Sequence, residues 1–364
     1  MMPTGTAFAA NSTPTKTVST VEEAADFARE QMVKRSENFV IKYNKKITDA
    51  TKMMNLGKKI KKEALKHTGK PKEGDYINWH FGKYSNSYTH GGSTTTLKFN
   101  IGYYTTAAQE KEVDKAVKQI LSSLKLENDD NYTKFRKIYD YICRNIKYDR
   151  KGFNDTTNTY CHTAHAAITT GSCVCQGYSL LLYRLALEEG IDNRIVARFN
   201  ADGGHSWNIV KLGRKYYQVD PTWDAGRSTY KYFLRGTDTF PDHSDFVATD
   251  KVEDVLSEYD LSKGDYVPDD AVKPQGTTIK KLTPLSKGMT VTYNKQVKNT
   301  VGYEIRYSVN KDMSKSKIKK VTKNSVTSKK ITGLKSKKKY YVQVRTYNNY
   351  FNSKWSSKMS VKTK

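Results

Sequence analysis

Gly171-Ser-Cys-Val-Cys-Gln-Gly-Tyr178 runs directly into Ser179-Leu-Leu-Leu-Tyr-Arg-Leu-Ala-Leu-Glu188, so a loop carrying two thiols opens onto an apolar helix. Leu180, Leu181, Leu185 and Leu187 supply the apolar positions, and Gly190 stops the helix. Cys175 falls in the first turn. There the positive end of the helix dipole favours a thiolate, and backbone N–H groups without intrahelical acceptors point toward it. Cys173 lies a step back in the loop without that help and reads as a packing residue. Gly177 removes a side chain just past the thiol, which lets substrate or a neighbouring strand come close. Cys175 is therefore the candidate nucleophile.

Two downstream stretches supply its partners: Gly204-His205-Ser-Trp-Asn208 and Val219-Asp220-Pro-Thr-Trp-Asp224. Arg194–Asn200, His205–Leu212 and Lys215–Asp220 read as strands, with Gly213-Arg214 as a turn between the last two. If Leu212 pairs with Lys215, Asp220 falls opposite Trp207 and His205 opposite Thr222. His205 and Asp220 are then diagonal neighbours on one face, with backbones about 7–8 Å apart, a gap that an Asp–imidazole hydrogen bond bridges. A slip of one residue would place them on opposite faces. In this layout His205 takes the thiol proton, Asp220 orients the imidazole and stabilises its charged form, and the Cys175 backbone N–H donates to a developing oxyanion. Asp224 is the alternative carboxylate, but the facing count prefers Asp220. Trp207, Trp223 and Tyr178 are candidates to wall a substrate cleft, although each reads equally well as a core aromatic.

Working outward, residues 1–18 read as a disordered leader remnant. The small-residue stretch Thr6-Ala-Phe-Ala-Ala-Asn11 resembles a secretory cleavage region, without the charged start and apolar core of a full signal. Residues 19–130 read as an α+β lead-in. Thr20-Val-Glu-Glu23 is a capping box opening a helix to about Arg35, and Phe39–Tyr43 is a strand. A basic helix covers about 46–67, with Ile47, Met53, Met54, Ile60 and Leu65 apolar. Asp75–Phe81 and Thr95–Tyr104 read as strands around a Gly/Ser-rich turn, and 107–125 as a helix. Residues 131–250 form the candidate catalytic core, beginning with a helix from Tyr132 to Ile146 on which Cys143 reads as a small buried hydrophobe. Residues 251–278 read as a linker, and 279–364 as a small all-β domain of period-two strands.

Charge is unevenly distributed. The chain carries a net charge of +26, and the segment from Ile279 to Lys364 holds 23 Lys and Arg against 2 Asp and Glu. A surface of that sign favours polyanions, whether nucleic acid, anionic lipid or a cell-wall polymer, and reads equally well as lysines solvated for solubility. No helix-turn-helix, zinc-finger, RNP or Gly-rich phosphate-loop signature accompanies the charge, so a nucleic-acid partner is not expected. The chain has 4 Cys, too few and too clustered for a disulfide-stapled scaffold. Cys161, His162, His165, Cys173 and Cys175 form a Cys/His cluster, but the spacing lacks the paired Cys-x-x-Cys of a zinc site, so no metal or cofactor is expected. No apolar run is long enough for a transmembrane segment.

"GSCVCQGYS", "GHSWNIVKL" and "YYQVDPTWD" together resemble the transglutaminase-like superfamily of papain-like Cys-His-Asp enzymes, with "YDYICRNIKYD" as the leading helix. The resemblance runs from about Tyr132 to Asp224. It implies an α+β fold in which the Cys helix packs on an antiparallel sheet, with nucleophile Cys175, histidine His205 and aspartate Asp220. The C-terminal segment resembles a fibronectin type III domain. Leu334, Tyr340, Val342 and Val344 match its tyrosine-corner strand and "GYEIRYS" its third strand, while Tyr293 stands where the family carries Trp. Such a domain implies a spacer or binding module. The resemblance further implies a secreted or cell-surface, Gram-positive-type bacterial enzyme acting on protein or peptide amides through an acyl-enzyme. Hydrolysis, as in a cysteine peptidase, is slightly preferred over transamidation. The alternatives are a protein-glutamine cross-linker and a non-catalytic wall or adhesion protein with a vestigial core; the intact triad argues against the latter.

Overall fold

The computed structural model describes residues 13–364 except 156, 202, 228, 249–253, 269, 270 and 349. The leader-like stretch at 6–11 lies outside the described residues. The chain divides into two compact units, Met1–Tyr266 and Val267–Lys364.

The first unit begins with a four-stranded sheet ordered Thr15–Val18, Asn38–Tyr43, Thr94–Tyr103, Phe81–Gly91. The first pair is parallel and the others antiparallel. The expectation of an unstructured start therefore fails at Thr15–Val18. That polar run has no side-chain period, yet its backbone pairs along Val40–Tyr43 and Val18 is buried. The Thr20–Glu23 capping box is present and opens the helix Val21–Val33. The basic helix is shorter than expected, Ala50–Ala64, with Met53, Leu56 and Ile60 inward and Met54 exposed.

A larger correction concerns residues 75–92. Asp75–Asn78 is one helical turn rather than a strand, and the Gly/Ser-rich stretch expected as a turn is the edge strand Phe81–Gly91. Tertiary bonding explains the first part. Asp75 accepts a fork of hydrogen bonds from Arg194, at 2.8 and 3.0 Å, plus the Ile195 N–H at 2.8 Å. This buried pair ties the lead-in to the sheet that follows, so residues 19–130 and the core share one unit.

That sheet is antiparallel, ordered Asn193–Asn200, Gly203–Leu212, Lys215–Val219, and the helix Cys175–Glu188 packs against it. Helices Ala107–Leu124, Asn131–Asn145 and Ala164–Thr170 surround the cysteine helix. Leu180, Leu181, Leu182 and Leu185 are fully buried with Phe135, Ile138 and Ile142 in one core. Gly177 permits this approach. A Cβ there would lie 2.6 Å from the Cys173 Cβ and 2.9 Å from the Thr163 carbonyl oxygen, so the close neighbour is chain rather than substrate. The first unit also continues past 250. Val255–Glu258 is helical, the Tyr216 N–H bonds the Asp260 carbonyl, and Tyr266 stacks on Tyr132 at 5.4 Å. The first half of the expected linker is thus packed structure.

The second unit is an all-β sandwich. One sheet runs Ile279–Leu285, Gly288–Tyr293, Ser328–Thr332; the other runs Lys317–Val321, Gly302–Ser308, Lys339–Tyr347, Met359–Lys362, and every pairing is antiparallel. Met289, Val291, Tyr303, Ile305, Val342 and Val344 fill the space between them. The Tyr340 hydroxyl accepts the Lys335 N–H at 3.1 Å, which closes the tyrosine corner. Tyr293 occupies the core position of the expected Trp, packed against Tyr303 with ring centroids 4.5 Å apart.

Candidate active site

Cys175 is the first residue of its helix. Val174 at the N-cap offers no side-chain oxygen, and the Gly177 N–H turns back to the Val174 carbonyl at 2.9 Å, so the Cys175 N–H has no capping side chain to compete for it. On the sheet, Leu212 pairs with Lys215 and Asn208 with Val219, the register expected from the turn. One step beyond Val219 brings Asp220 beside Trp207 and diagonal to His205. The His205 Nε2 and Asp220 Oδ2 are 2.8 Å apart. With Nε2 so engaged, Nδ1 is left to face the thiol, and His205 and Ser206 are the groups that act on the Cys175 charge.

Asp220 is fully buried and saturated. Oδ1 accepts the Thr222 N–H at 2.9 Å and the Trp223 N–H at 3.2 Å, capping the short helix Pro221–Asp224. Oδ2 accepts from His205 and also from His243 Nε2, at 3.1 Å. His243 was not singled out in the sequence, because it lies in an irregular stretch with no period to mark it. It stacks on Phe240 with ring centroids 3.9 Å apart and tilts against Trp223 at 4.1 Å. Burial lowers its pKa, so it is a neutral donor of one N–H to Asp220. The ligating atoms of His205, Asp220 and His243 lie within 4.8 Å of one another, a spacing a metal ion could share, but the two imidazole donors already account for Asp220 Oδ2.

The electrostatics separate the thiols. Burial pushes the Cys175 thiol up, but the hydrogen bond and charge of His205, with Ser206, outweigh it and hold the thiol below its ordinary value. Burial disfavours the His205 cation, but Asp220 and the Cys175 contact prevail and raise it to about 10. Asp220, despite its burial, is held below the usual carboxylate range by both histidines. Burial instead drives Cys173 well above the ordinary thiol range, with no cation to offset it. Together these shifts favour a thiolate–imidazolium pair at Cys175 and His205 alone.

Trp223, His205 and Thr222 line an open cleft of about 530 Å³, whose wall also includes Cys143, Ile146 and Tyr148. The Trp223 and His205 rings stack at 5.1 Å, 16° from parallel. The other two aromatic candidates are not on this wall. Trp207 is buried behind His205, its Nε1–H bonded to Gln218 Oε1 at 3.2 Å, and Tyr178 is fully buried, its hydroxyl bonded to the Ile146 carbonyl at 2.8 Å. Both satisfy their polar atoms within the core, which is why they stay there. Asp224 is likewise committed elsewhere. It accepts from the Tyr139 hydroxyl at 2.9 Å and from the Lys231 and Tyr232 N–H groups, pinning the loop that follows.

Residues 118–221 match the transglutaminase-like superfamily and residues 272–362 the fibronectin type III domain. The chain therefore carries a transglutaminase-like domain followed by a fibronectin type III domain. It is similar to the kyphoscoliosis peptidase of Mus musculus, 24% identical over 140 residues, which is 33% of this chain and 20% of that protein. The chain thus spans about a fifth of the length of that curated relative. Among solved structures, a TGase crystal structure matches over 54% of this chain and 53% of its own at 16% identity and a TM-score of 0.28. A human contactin 1 fibronectin type III domain matches over 27% of this chain and 87% of its own at 21% identity and a TM-score of 0.25. No helix among the described residues is long and apolar enough to cross a membrane.

Proposed function

We propose that the first unit is a cysteine enzyme that cleaves amide bonds of proteins or peptides through an acyl-enzyme on Cys175. The observation that carries this reading is the His205–Asp220 hydrogen bond beside Cys175, with His205 lining an open cleft and lowering the thiol's pKa. The Cys175 thiolate attacks the carbonyl carbon, forming a C–S bond, while the Cys175 backbone N–H stabilises the oxyanion. As the C–N bond breaks, the His205 imidazolium gives its proton to the leaving amine. His205 then takes a proton from water, whose oxygen attacks the thioester; the C–S bond breaks and the thiolate–imidazolium pair returns. Asp220 holds the imidazole in the required orientation, and His243 holds Asp220.

Hydrolysis is preferred to transamidation on electrostatic grounds. Arg144, Lys147 and Arg150 line the cleft, and their charge opposes approach of a lysine ammonium, whereas water enters freely. Incubation with a labelled primary amine and a Gln-containing protein tests the preference. Free acid product without amine incorporation is expected; Cys175-dependent incorporation of the amine overturns it.

The proposal assigns the C-terminal domain to anchoring. With 23 basic and 2 acidic residues from Ile279 to Lys364, it is suited to an anionic wall polymer outside the cell. Retention on such a polymer should fall steeply between about 0.05 and 0.5 M salt. Salt-insensitive retention, or none, removes the electrostatic anchor.

A further inference from the structure

The cleft beside Cys175 has a charge pattern that catalysis does not require. Its lining includes Arg144, Lys147 and Arg150 and no carboxylate, so three cations face the space above His205. They come from three successive elements: the end of the helix Asn131–Asn145, the short strand Lys147–Tyr148 and the turn of helix Arg150–Asn154. Outside the basic tail, acids nearly balance bases along the chain, so a cleft wall with only cations stands out from its surroundings.

Nor are these cations neutralised elsewhere. Arg144 is mostly exposed and reaches Asp140 only at 3.9 Å, while Asp140 is already bonded by Arg136 at 2.9 Å. Lys147 and Arg150 have no carboxylate partner among the described residues. The nearest acid in sequence, Asp149, turns its Oδ1 to the Gly152 N–H at 2.8 Å and is not part of the cleft wall. A second, independent feature points to a bound ligand. Thr222 lines the same cleft, and its Oγ1 is buried with no hydrogen-bond partner among the described residues. A buried hydroxyl left in this way has a hydrogen bond to give to a water or a bound group.

From these observations we infer that the cleft selects an acidic peptide: an acyl donor with one or more carboxylates close to the amide that Cys175 attacks. Lys147 and Arg150 hold the carboxylates, and Arg144 adds to the positive field of the cleft. The inference rests on the amide-cleaving reading for its chemistry, but its charge selectivity is measurable on the thiol alone.

The test compares alkylation of Cys175 by iodoacetate and by iodoacetamide, which differ chiefly in charge; each forms an S–C bond and releases iodide. The double variant K147E/R150E should lower the iodoacetate-to-iodoacetamide rate ratio by roughly tenfold, and added salt should move the native ratio the same way. The neutral variants K147Q and R150Q, less disturbing to the fold, should each give part of that change. A Glu-rich peptide should also protect Cys175 from iodoacetamide better than a matched Gln-rich peptide. An unchanged ratio in all three variants, or equal protection by the two peptides, overturns the inference. Iodoacetamide labelling no faster than that of free cysteine instead removes the proposed nucleophile, while the charge ratio stays readable, so the two failures are distinct.

Discussion

Cys175→Ser should lower kcat/KM on a cleavable peptide by about 10⁴-fold or more, while Cys173→Ser leaves the reaction standing. The two thiols are two residues apart and both buried, so burial alone predicts two inert groups. The difference is the cation. His205 holds the Cys175 proton loosely, whereas Cys173 meets only the charge of neighbouring thiols and Asp149, which oppose ionisation. The pH dependence follows from the same contacts. Because the Cys175 thiol is held below its ordinary value, labelling should set in at lower pH than for a free thiol, whose midpoint is about 8.5. The ion pair then persists until His205 loses its proton near about 10, so turnover falls on the alkaline side while alkylation of the bare thiolate continues. A labelling profile that superimposes on that of free cysteine contradicts the assignment. His205→Asn should shift the profile toward the ordinary thiol curve, since it removes the positive partner without emptying the site.

The geometry of the three proposed triad residues was legible because it depends on local rules. A helix start follows from composition, and a two-residue turn fixes the register of the strands around it, which determines the face on which His205 and Asp220 meet. What was not legible depends on distant parts of the chain. Asp75 is helical because Arg194, far along the sequence, bonds its carboxylate. The polar strand Phe81–Gly91 forms because Thr94–Tyr103 offers it a full ladder, not because its own residues alternate. His243 reaches Asp220 from an irregular stretch through packing on Phe240 and Trp223. Nothing in its neighbours distinguishes it from the other histidines of the chain. The same applies to Trp207 and Tyr178, whose placement in the core depended on whether Gln218 and the Ile146 carbonyl were within reach.

Replacing Asp220 should damage both activity and stability, and two substitutions separate the effects. Asp220→Ala strands the His205 and His243 donors together with the Thr222 and Trp223 N–H groups. Loss of one partner from such a buried, charge-assisted network costs about 3–5 kcal/mol, read as a fall in the denaturation midpoint. Asp220→Asn keeps the shape and an acceptor oxygen, so its stability loss should be smaller. Its kcat/KM should still drop by about 10³–10⁴-fold, because a neutral amide neither orients the imidazolium nor stabilises its charge. The acid limb of stability provides a further check. The folded-state pKa of Asp220 is depressed, so its contribution is present above the unfolded value of about 3.9 and is lost as pH falls below it. The Asn variant should lose stability less steeply than the native protein over that acid range. His243 bonds Asp220 and is expected to act through it. His243→Ala removes one hydrogen bond to a charge, worth about 1.5–3 kcal/mol, and His243→Gln, which can still donate an N–H, should recover part of the loss. The informative readout is the alkaline limb of the turnover profile. If His243 merely fills space, the limb stays near the native value in both variants. If it helps hold the carboxylate against His205, the limb moves to lower pH in His243→Ala and returns partway in His243→Gln.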